Sequence, residues 1–319
     1  MSYLMKKLSI IIVSYNTRQM TLECLESVYD QTKMDDFEVI VLDNDSSDGS
    51  AEAIAENYPQ ARLIQSKDNL GFAMGNNKAI ESAEGEYILL LNPDTVVLDN
   101  AIDRLMAFAE SNPSAGIWGG KTLFGDKSLN PNSCFRQMSL WNQFCRASGL
   151  AGVFKHSPIF HSEHYGGWLR DSIRHVDIVC GCFLLIKLEL WKQLGGFDHR
   201  FFMYAEESDL CLRAKTQGYD PMITPDAVIV HYGGGSEKVR ADKMVRLLSA
   251  KVELQKAHWP SWKFQAGRAL FKLWALNRST LYWLAMTMVP GGKSRYQESF
   301  NAWSNVWRRR QDWSNGYTK

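Results

Sequence analysis

The sequence predicts an α/β protein with a mostly parallel central sheet, helices on both faces, and a C-terminal α-helical extension. Short apolar or β-branched runs alternate with helical segments through the first half, an alternation that implies a parallel sheet covered by helices on both faces. The last quarter turns basic, tryptophan-rich and helical in pattern.

Each element follows from its local pattern. LSIIIVSY (8–15), FEVIVLD (37–43), ARLIQS (61–66) and EYILLLN (86–92) read as strands, being apolar or β-branched runs. Between and after them, TRQMTLECLESVYDQT (17–32), SAEAIAENY (50–58), GFAMGNNKAIESA (71–83) and AIDRLMAFAESN (101–112) carry helical periodicity. The run LSIIIVSYN after Met5-Lys6-Lys7 is too short for a secretory leader and passes at once into polar residues. It is read as the first strand.

With 319 residues and 45% hydrophobic content, the chain can bury one large core, or a core plus an appendage. Six cysteines (Cys24, Cys134, Cys145, Cys180, Cys182 and Cys211) have neither CxxC spacing nor the density of a disulfide scaffold, and read as reduced thiols of a cytosolic protein. The net charge of +1 hides an asymmetry. Residues 254–311 hold ten Lys or Arg against the single acid Glu298, leaving about −8 on the remainder.

Seven of the eleven tryptophans lie from Trp259 onward. Trp with Lys and Arg is what a membrane interface selects. ALFKLWALNRSTLYWLAMTMV (269–289) is almost long enough to span a bilayer but is interrupted by Lys272, Asn277 and Arg278. It reads as a helix lying on an anionic membrane surface. The alternatives are a helical cap packing its tryptophans on the core and, less favoured, a nucleic-acid surface; no nucleic acid is expected as partner.

In a sheet of this kind ligands sit outside the carboxyl ends of the strands. Asp43, Asn44, Asn92 and Asp94 all fall there. A dinucleotide fold is disfavoured, because VSYNT follows the first strand where GxGxxG would be needed.

Six blocks then make a specific pattern: IIIVSYN, VIVLDNDSSDGS, NLGFAMGNN, LLLNPDT, VCGCFLLIKLELWKQLGGFDHRFFMYAEESDLCLRA and VIVHYGGGS. In this order they resemble the inverting glycosyltransferases of family 2, which have the Rossmann-like GT-A fold, and most closely their rhamnosyltransferase-type branch. The resemblance covers about residues 7–236, so a catalytic domain is expected at 1–236 and a helical, membrane-associating region at 237–319.

The resemblance implies a nucleoside-diphosphate sugar donor. It places Tyr15 beside the base, with Val13 just before it, and Asp43 and Asn44 toward base and ribose. Asn69, Gly71, Asn76 and Asn77 would line the donor pocket. Read from the residues alone, Tyr15 could cap the core, Asp43 cap a helix and Gly71 simply start one.

The family's Asp-x-Asp signature for a divalent cation is here Asn92-Pro93-Asp94, leaving Asp94 as the charged ligand. Mg²⁺ or Mn²⁺ suits so sparse a site, since such ions keep waters and take phosphate oxygens. His231 matches the histidine completing the site in relatives. Glycines 233–235 and Ser236 suggest a mobile loop. His156, His161 and His164 have loosely metal-like spacing, but are read as acceptor contacts or surface.

Inverting transfer needs a base. The family's Glu-Asp pair corresponds to Glu206-Glu207, with Glu where Asp is usual, so Glu207 is nominated and Asp209 and Glu206 are alternates. Three acids also suit a helix N-terminus, and Asp209 with Arg213 can be a simple i,i+4 pair. Gly181 and Cys182 would edge the acceptor side.

The implied donor is dTDP-L-rhamnose, with UDP-hexoses or UDP-hexosamines open. The implied acceptor is a saccharide, lipid-linked, of a bacterial surface polysaccharide, assembled at the inner face of the cytoplasmic membrane. Two other classes stay open: an inactive nucleotide-sugar-binding protein, and a nucleotidyltransferase, which would need a glycine-rich basic first loop that VSYNTRQM lacks.

Overall fold

The computed structural model describes residues 6–233 and 240–317. The chain divides into two compact units, one of residues 1–136, 169–202 and 206–236, the other of 137–168, 203–205 and 237–319.

The first unit is built on a twisted mixed sheet. Its first half alternates β1 (Lys6–Ser14), α1 (Arg18–Gln31), β2 (Phe37–Asp43), α2 (Ser50–Asn57), β3 (Arg62–Gln65), α3 (Gly71–Ile80) and β4 (Gly85–Leu91). Then come β5 (Thr95–Val97), α4 (Ala101–Ser111), β6 (Ile117–Leu123), β7 (Leu129–Asn130) and β8 (Cys134–Phe135). After residues of the other unit follow β9 (Arg174–His175), β10 (Ile178–Val179), β11 (Phe183–Lys187), α7 (Leu188–Leu194), α8 (Glu206–Thr216) and β12 (Met222–His231).

The sheet order is β3-β2-β1-β4-β11-β6-β12-β5. The first four strands are parallel, β11 runs against both its neighbours, and β12 is parallel to β6. The chain leaves β1 toward β2 on one side and returns with β4 on the other. That reversal opens a crevice at the carboxyl ends of β1 and β4, where ligands of such sheets bind. Leu8, Ile10 and Ile12 of β1 and Leu89 and Leu91 of β4 are fully or nearly fully buried in one core with Cys24, Leu25 and Val28 of α1.

The second unit is helical. It contains α5 (Leu140–Ser148), α6 (Leu150–Val153), α9 (Arg240–His258), α10 (Ser261–Met288), α11 (Gly292–Arg308) and α12 (Arg310–Trp313). Helix α5 is set by a capping box, in which Ser139 and Asn142 each bind the other's backbone N–H. A buried charge cluster joins residues 137–168 to α9: Glu163 pairs with Arg146 and, at 2.5 Å, with Lys251.

The late tryptophans divide. Trp259, Trp303 and Trp313 are buried within this unit, Trp303 edge-on to Trp274 at 4.8 Å, whereas Trp262 and Trp283 are exposed. All six cysteines are free thiols.

Candidate active site

Four stretches at the carboxyl ends of the strands meet in the first unit, and each is fixed by its own hydrogen bonds. Tyr15 follows β1 and is half-buried, its ring at the lip. The turn after it is stitched to the turn after β2: Asn16 N–H donates to Ser46 Oγ (2.9 Å), Asn16 Oδ1 accepts from Ser47 N–H (2.8 Å), and Arg18 N–H donates to Asp48 (3.0 Å). Asn16 and Asp45 hold left-handed backbone at φ 52° and 68°, which Asn and Asp tolerate best among non-glycines. Sequence reasoning passed over both, although residue type was the signal.

Asp43 ends β2, buried. One carboxylate oxygen accepts from Ser46 N–H at 3.1 Å, and the other, Oδ1, is buried with no hydrogen-bond partner. A buried acceptor left unsatisfied costs free energy unless something donates to it. Asn44 instead closes the next turn: its Oδ1 accepts from Leu70 N–H (2.8 Å) and its Nδ2 donates to Asn69 Oδ1 and Gly71 O (both 3.1 Å).

Gly71 opens α3 with φ +73°; a Cβ there would fall 2.7 Å from Cδ2 of Phe202 and closer still to the Phe202 carbonyl. Gly75 packs on Val13, where a Cβ would meet Cγ1 at 3.0 Å. Thus Val13 and Gly75 let α3 approach the end of β1. Asn76 donates back to Phe72 O (2.8 Å) and is buried. Asn77 faces elsewhere: its amide donates to Phe197 O (2.8 Å) and accepts from Phe197 N–H (2.9 Å). It anchors the segment leading to α8.

The third stretch is the turn after β4. Asn92 N–H donates to Cys182 O (3.1 Å), and Asn92 O accepts from Thr95 Oγ1 (2.7 Å). Antiparallel pairing of β5 with β12 sets His231 opposite Thr95, one residue from Asp94. His231 Nε2 consequently lies 3.3 Å from Asp94 Oδ1 and 3.3 Å from Asn92 Nδ2. Burial alone would raise the Asp94 carboxyl, but the His231 hydrogen bond and charge, helped by backbone N–H groups, hold it below its ordinary value.

Asn92 Oδ1 is buried without a partner. The Asp94 carboxylate and the His231 imidazole therefore meet beside Asn92, and carboxylate, imidazole and amide oxygen are donor types that suit a hard divalent cation sharing its remaining positions with water and phosphate. Among the described residues no cluster of three or more His, Cys, Asp or Glu is arranged to hold a metal. The loop residues 234–236 expected to close nearby lie outside the described residues.

The fourth stretch carries the acids. Glu206 and Glu207 open α8 directly after Tyr204 and Ala205, whose φ values are +73° and +68°. Two successive non-glycine residues in this region store backbone strain, a feature concentrated at functional sites. A Cβ on Gly181 would lie 3.6 Å from Cβ of Glu207 and 3.4 Å from the Phe72 ring, so Gly181 keeps open the space beside Glu207.

Glu206 is 3% exposed and its Oε2 has no hydrogen-bond partner; burial first, then the Glu207 charge, pushes its carboxyl well above the usual range. Asp209, also buried, is committed to Arg213 at 2.7 Å, whose guanidinium also donates to Leu194 O and Gly196 O. That geometry is the i,i+4 pair, tying α8 to the end of α7.

Cys180 and Cys182 lie between the acid pair and the Asn92 turn. The Cys182 thiol is pushed up by its hydrogen bond to Cys180 and by burial, with further contributions from the charges of both Asp94 and Glu207. One buried thiol thus feels both candidate centres. His161 and His164 stack at 5.0 Å in the second unit beside Glu163.

Comparison with known proteins bears on the fold and the family. A mannosyltransferase from Pyrobaculum calidifontis, solved in complex with GDP-Man and Mn²⁺, superposes with a TM-score of 0.58 over 96% of this chain and 86% of that one, at 18% identity. It establishes the GT-A fold alone. The chain is 29% identical over 205 residues to an N-acetylglucosaminyl-diphospho-decaprenol L-rhamnosyltransferase of Mycobacterium tuberculosis, covering 61% of this chain and 66% of the relative, slightly under two thirds of its length. It is also 29% identical over 232 residues to rhamnosyltransferase WbbL of Escherichia coli K12, covering 70% and 82%. The model of the family named glycosyl transferase family 2 matches residues 9–176, more than half of the sequence. On that match the chain belongs to glycosyl transferase family 2.

Proposed function

We propose that this protein transfers L-rhamnose, with inversion, from dTDP-L-rhamnose to a lipid-linked saccharide in the assembly of a bacterial surface polysaccharide. The observation that carries the reading is the convergence of the Asn92–Asp94–His231 lip and Glu207 on the Cys180–Cys182 segment. The rhamnosyltransferase relatives supply the choice of sugar and of acceptor class.

Each group has a role in this reading. The Tyr15 ring stacks on the base. The unpartnered Asp43 Oδ1 accepts from base or ribose, and Asn44 with Asn69 and Gly71 shapes the pocket wall. Glu207 takes the proton of the acceptor hydroxyl as its oxygen bonds to the anomeric carbon, while the bond to the diphosphate breaks and its electron pair leaves with the nucleotide. A positioned base of this kind is worth roughly 10²–10⁴ in rate.

Asp94, His231 and Asn92 Oδ1 would hold Mg²⁺ or Mn²⁺. When bound, such a cation neutralises charge developing on the departing diphosphate. Asp209, engaged with Arg213, takes a positioning role, and burial together with the Glu207 charge disfavours a second negative charge on Glu206 beside the base. The region 237–319 associates peripherally with the inner face of the cytoplasmic membrane; among the described residues no helix is long and apolar enough to cross one.

Calorimetric titration with dTDP-L-rhamnose, UDP-glucose and UDP-N-acetylglucosamine, each with and without Mg²⁺, tests the reading. Metal-dependent preference for dTDP-L-rhamnose supports it. Preference for a UDP-sugar replaces the donor, and binding without transfer to any saccharide acceptor favours a binding protein that has lost turnover, as the Asn92 and Glu207 departures would allow.

A further inference from the structure

Helix α10 breaks the usual rule for a surface helix. Its inner face is apolar, as expected, with Gly267, Phe271 and Ala275 buried one turn apart. Its outer face is apolar too. Trp262, Leu273, Leu276, Leu284 and Met288 are 68%, 42%, 38%, 36% and 75% exposed. Their spacing keeps them on one side of a helix that turns every 3.6 residues.

The residues between them on that side, such as Ala269 and Thr280, are small and uncharged. The helix has 28 residues, so the stripe runs for about 40 Å. That side carries no charge, and its exposed apolar side chains, interrupted only by Asn277, Thr280 and Thr287, form a surface of the kind that marks an interaction site.

We infer that this outward stripe of α10 is the surface by which the protein inserts into the headgroup region of a bilayer containing anionic lipid. The inference deepens the peripheral-membrane part of the proposal above and rests on it. Charge identifies the occupant. Residues 254–311 carry ten Lys or Arg and one acid, which complements anionic headgroups and matches no requirement of a neutral protein groove.

Trp262 stands near one end of the stripe and Trp283 near the other, in keeping with the preference of indole rings for the interfacial layer. Helix α10 is also engaged with α5 and α11, so it lies along a surface and does not cross it: Asn277 donates to Ala147 O of α5 at 3.0 Å, and Trp274 meets Trp303 of α11. Helix α5 itself turns Trp141 and Phe144 outward, 46% and 44% exposed. This adds residues 137–168 to the unit that carries the surface, which the tail composition by itself does not indicate.

Removing the tail is a poor test, because α9, α10, α11 and α12 pack on one another and on α5. The experiment instead uses the full chain, sedimented with vesicles of phosphatidylcholine alone and of phosphatidylcholine with phosphatidylglycerol. Wild-type protein is expected to sediment with the second kind and to be released by salt. Leu276→Glu/Leu284→Glu should weaken partitioning at least tenfold with an unchanged thermal transition. Gln60→Glu/Ser111→Glu, with the same charge change on exposed positions of the first unit, should leave it intact.

Equal binding to both vesicles, or equal loss in both double variants, would overturn the assignment. So would a wild-type dimer that the Leu276/Leu284 variant splits into monomers without any vesicle binding, since the stripe would then be covered by a second copy. Nucleotide-sugar titration of the same proteins separates the two proposals: its failure counts against the transferase reading and leaves the vesicle result standing.

Discussion

Asp94 Oδ1 stands 3.3 Å from His231 Nε2, although 137 residues separate them in the chain. The strand β12 brings the imidazole to the lip of β4 through its pairing with β5, and the Tyr232 N–H bond to Asp94 O (3.0 Å) holds the two turns in register. Two side chains fixed this way need no rearrangement to act together, as the proposed cation site requires.

From this pair comes the first prediction. Asp94→Ala and His231→Ala should each weaken Mg²⁺-dependent nucleotide binding by tenfold or more, with metal-free binding little changed. Titrations with and without the cation check it. If both variants keep the wild-type metal effect, the assignment to these residues is wrong.

The acids of α8 should separate by the kind of damage their loss causes. Glu207→Gln should lower kcat by about 10²–10⁴ and leave donor affinity within twofold. Asp209→Asn breaks a buried ion pair that also positions the carbonyls of residues 194 and 196, so it should lower folding stability by on the order of 3 kcal/mol. Activity assays and urea unfolding on both proteins check the division; a stable, inactive Asp209 variant would move the base to that residue.

Gly71→Ala should destabilise the first unit. The position needs φ +73°, which costs an L-residue about 1–2 kcal/mol, and its Cβ would run into Phe202. Because Phe72 N–H also donates to Phe202 O (2.8 Å), the clash would push apart α3 and the segment that leads to α8. Thermal unfolding should show a loss of at least about 1–2 kcal/mol, and donor binding should weaken in parallel.

What was legible in the sequence follows from how far each signal reaches. The strands and helices of the first half announced themselves through local periodicity, and the ends of β2 and β4 marked Asp43, Asn44, Asn92 and Asp94 as lip residues. The reversed strand β11 in the middle of the sheet had no such mark, since an apolar run reads the same in either direction.

Long-range commitments were likewise invisible. Asn77 reads as one of three amides near a donor pocket, yet it binds the backbone of a residue 120 positions away. Gly71 shows its purpose only once Phe202 is beside it. The tail tryptophans looked like a single class, and packing divided them into an inner set around Trp303 and an outer pair, Trp262 and Trp283.

The buried charges of the second unit lead to the last prediction, which concerns acid. His164 is half-buried, and its imidazole is held down to about 3, first by burial and then by the cations Arg146 and Lys251, with Glu163 opposing them. Between that value and the usual unfolded value of about 6.5, the unfolded chain binds a proton that the folded chain refuses. Stability therefore falls as pH drops through this window.

Glu163 acts in the same direction at lower pH. Burial opposes its ionisation, but Arg146 and Lys251 hold it below the usual carboxyl range, so its contribution is present above about 4.3 and lost beneath it. Urea unfolding should accordingly show a loss of about 1–2 kcal/mol between pH 7.5 and pH 5, a span in which His164 dominates and solvent around a half-exposed ring reduces the full linkage. His164→Gln should remove at least half of that loss while leaving the low-pH limb due to Glu163. A variant that weakens with acid as steeply as the wild type would place the sensitivity in other groups.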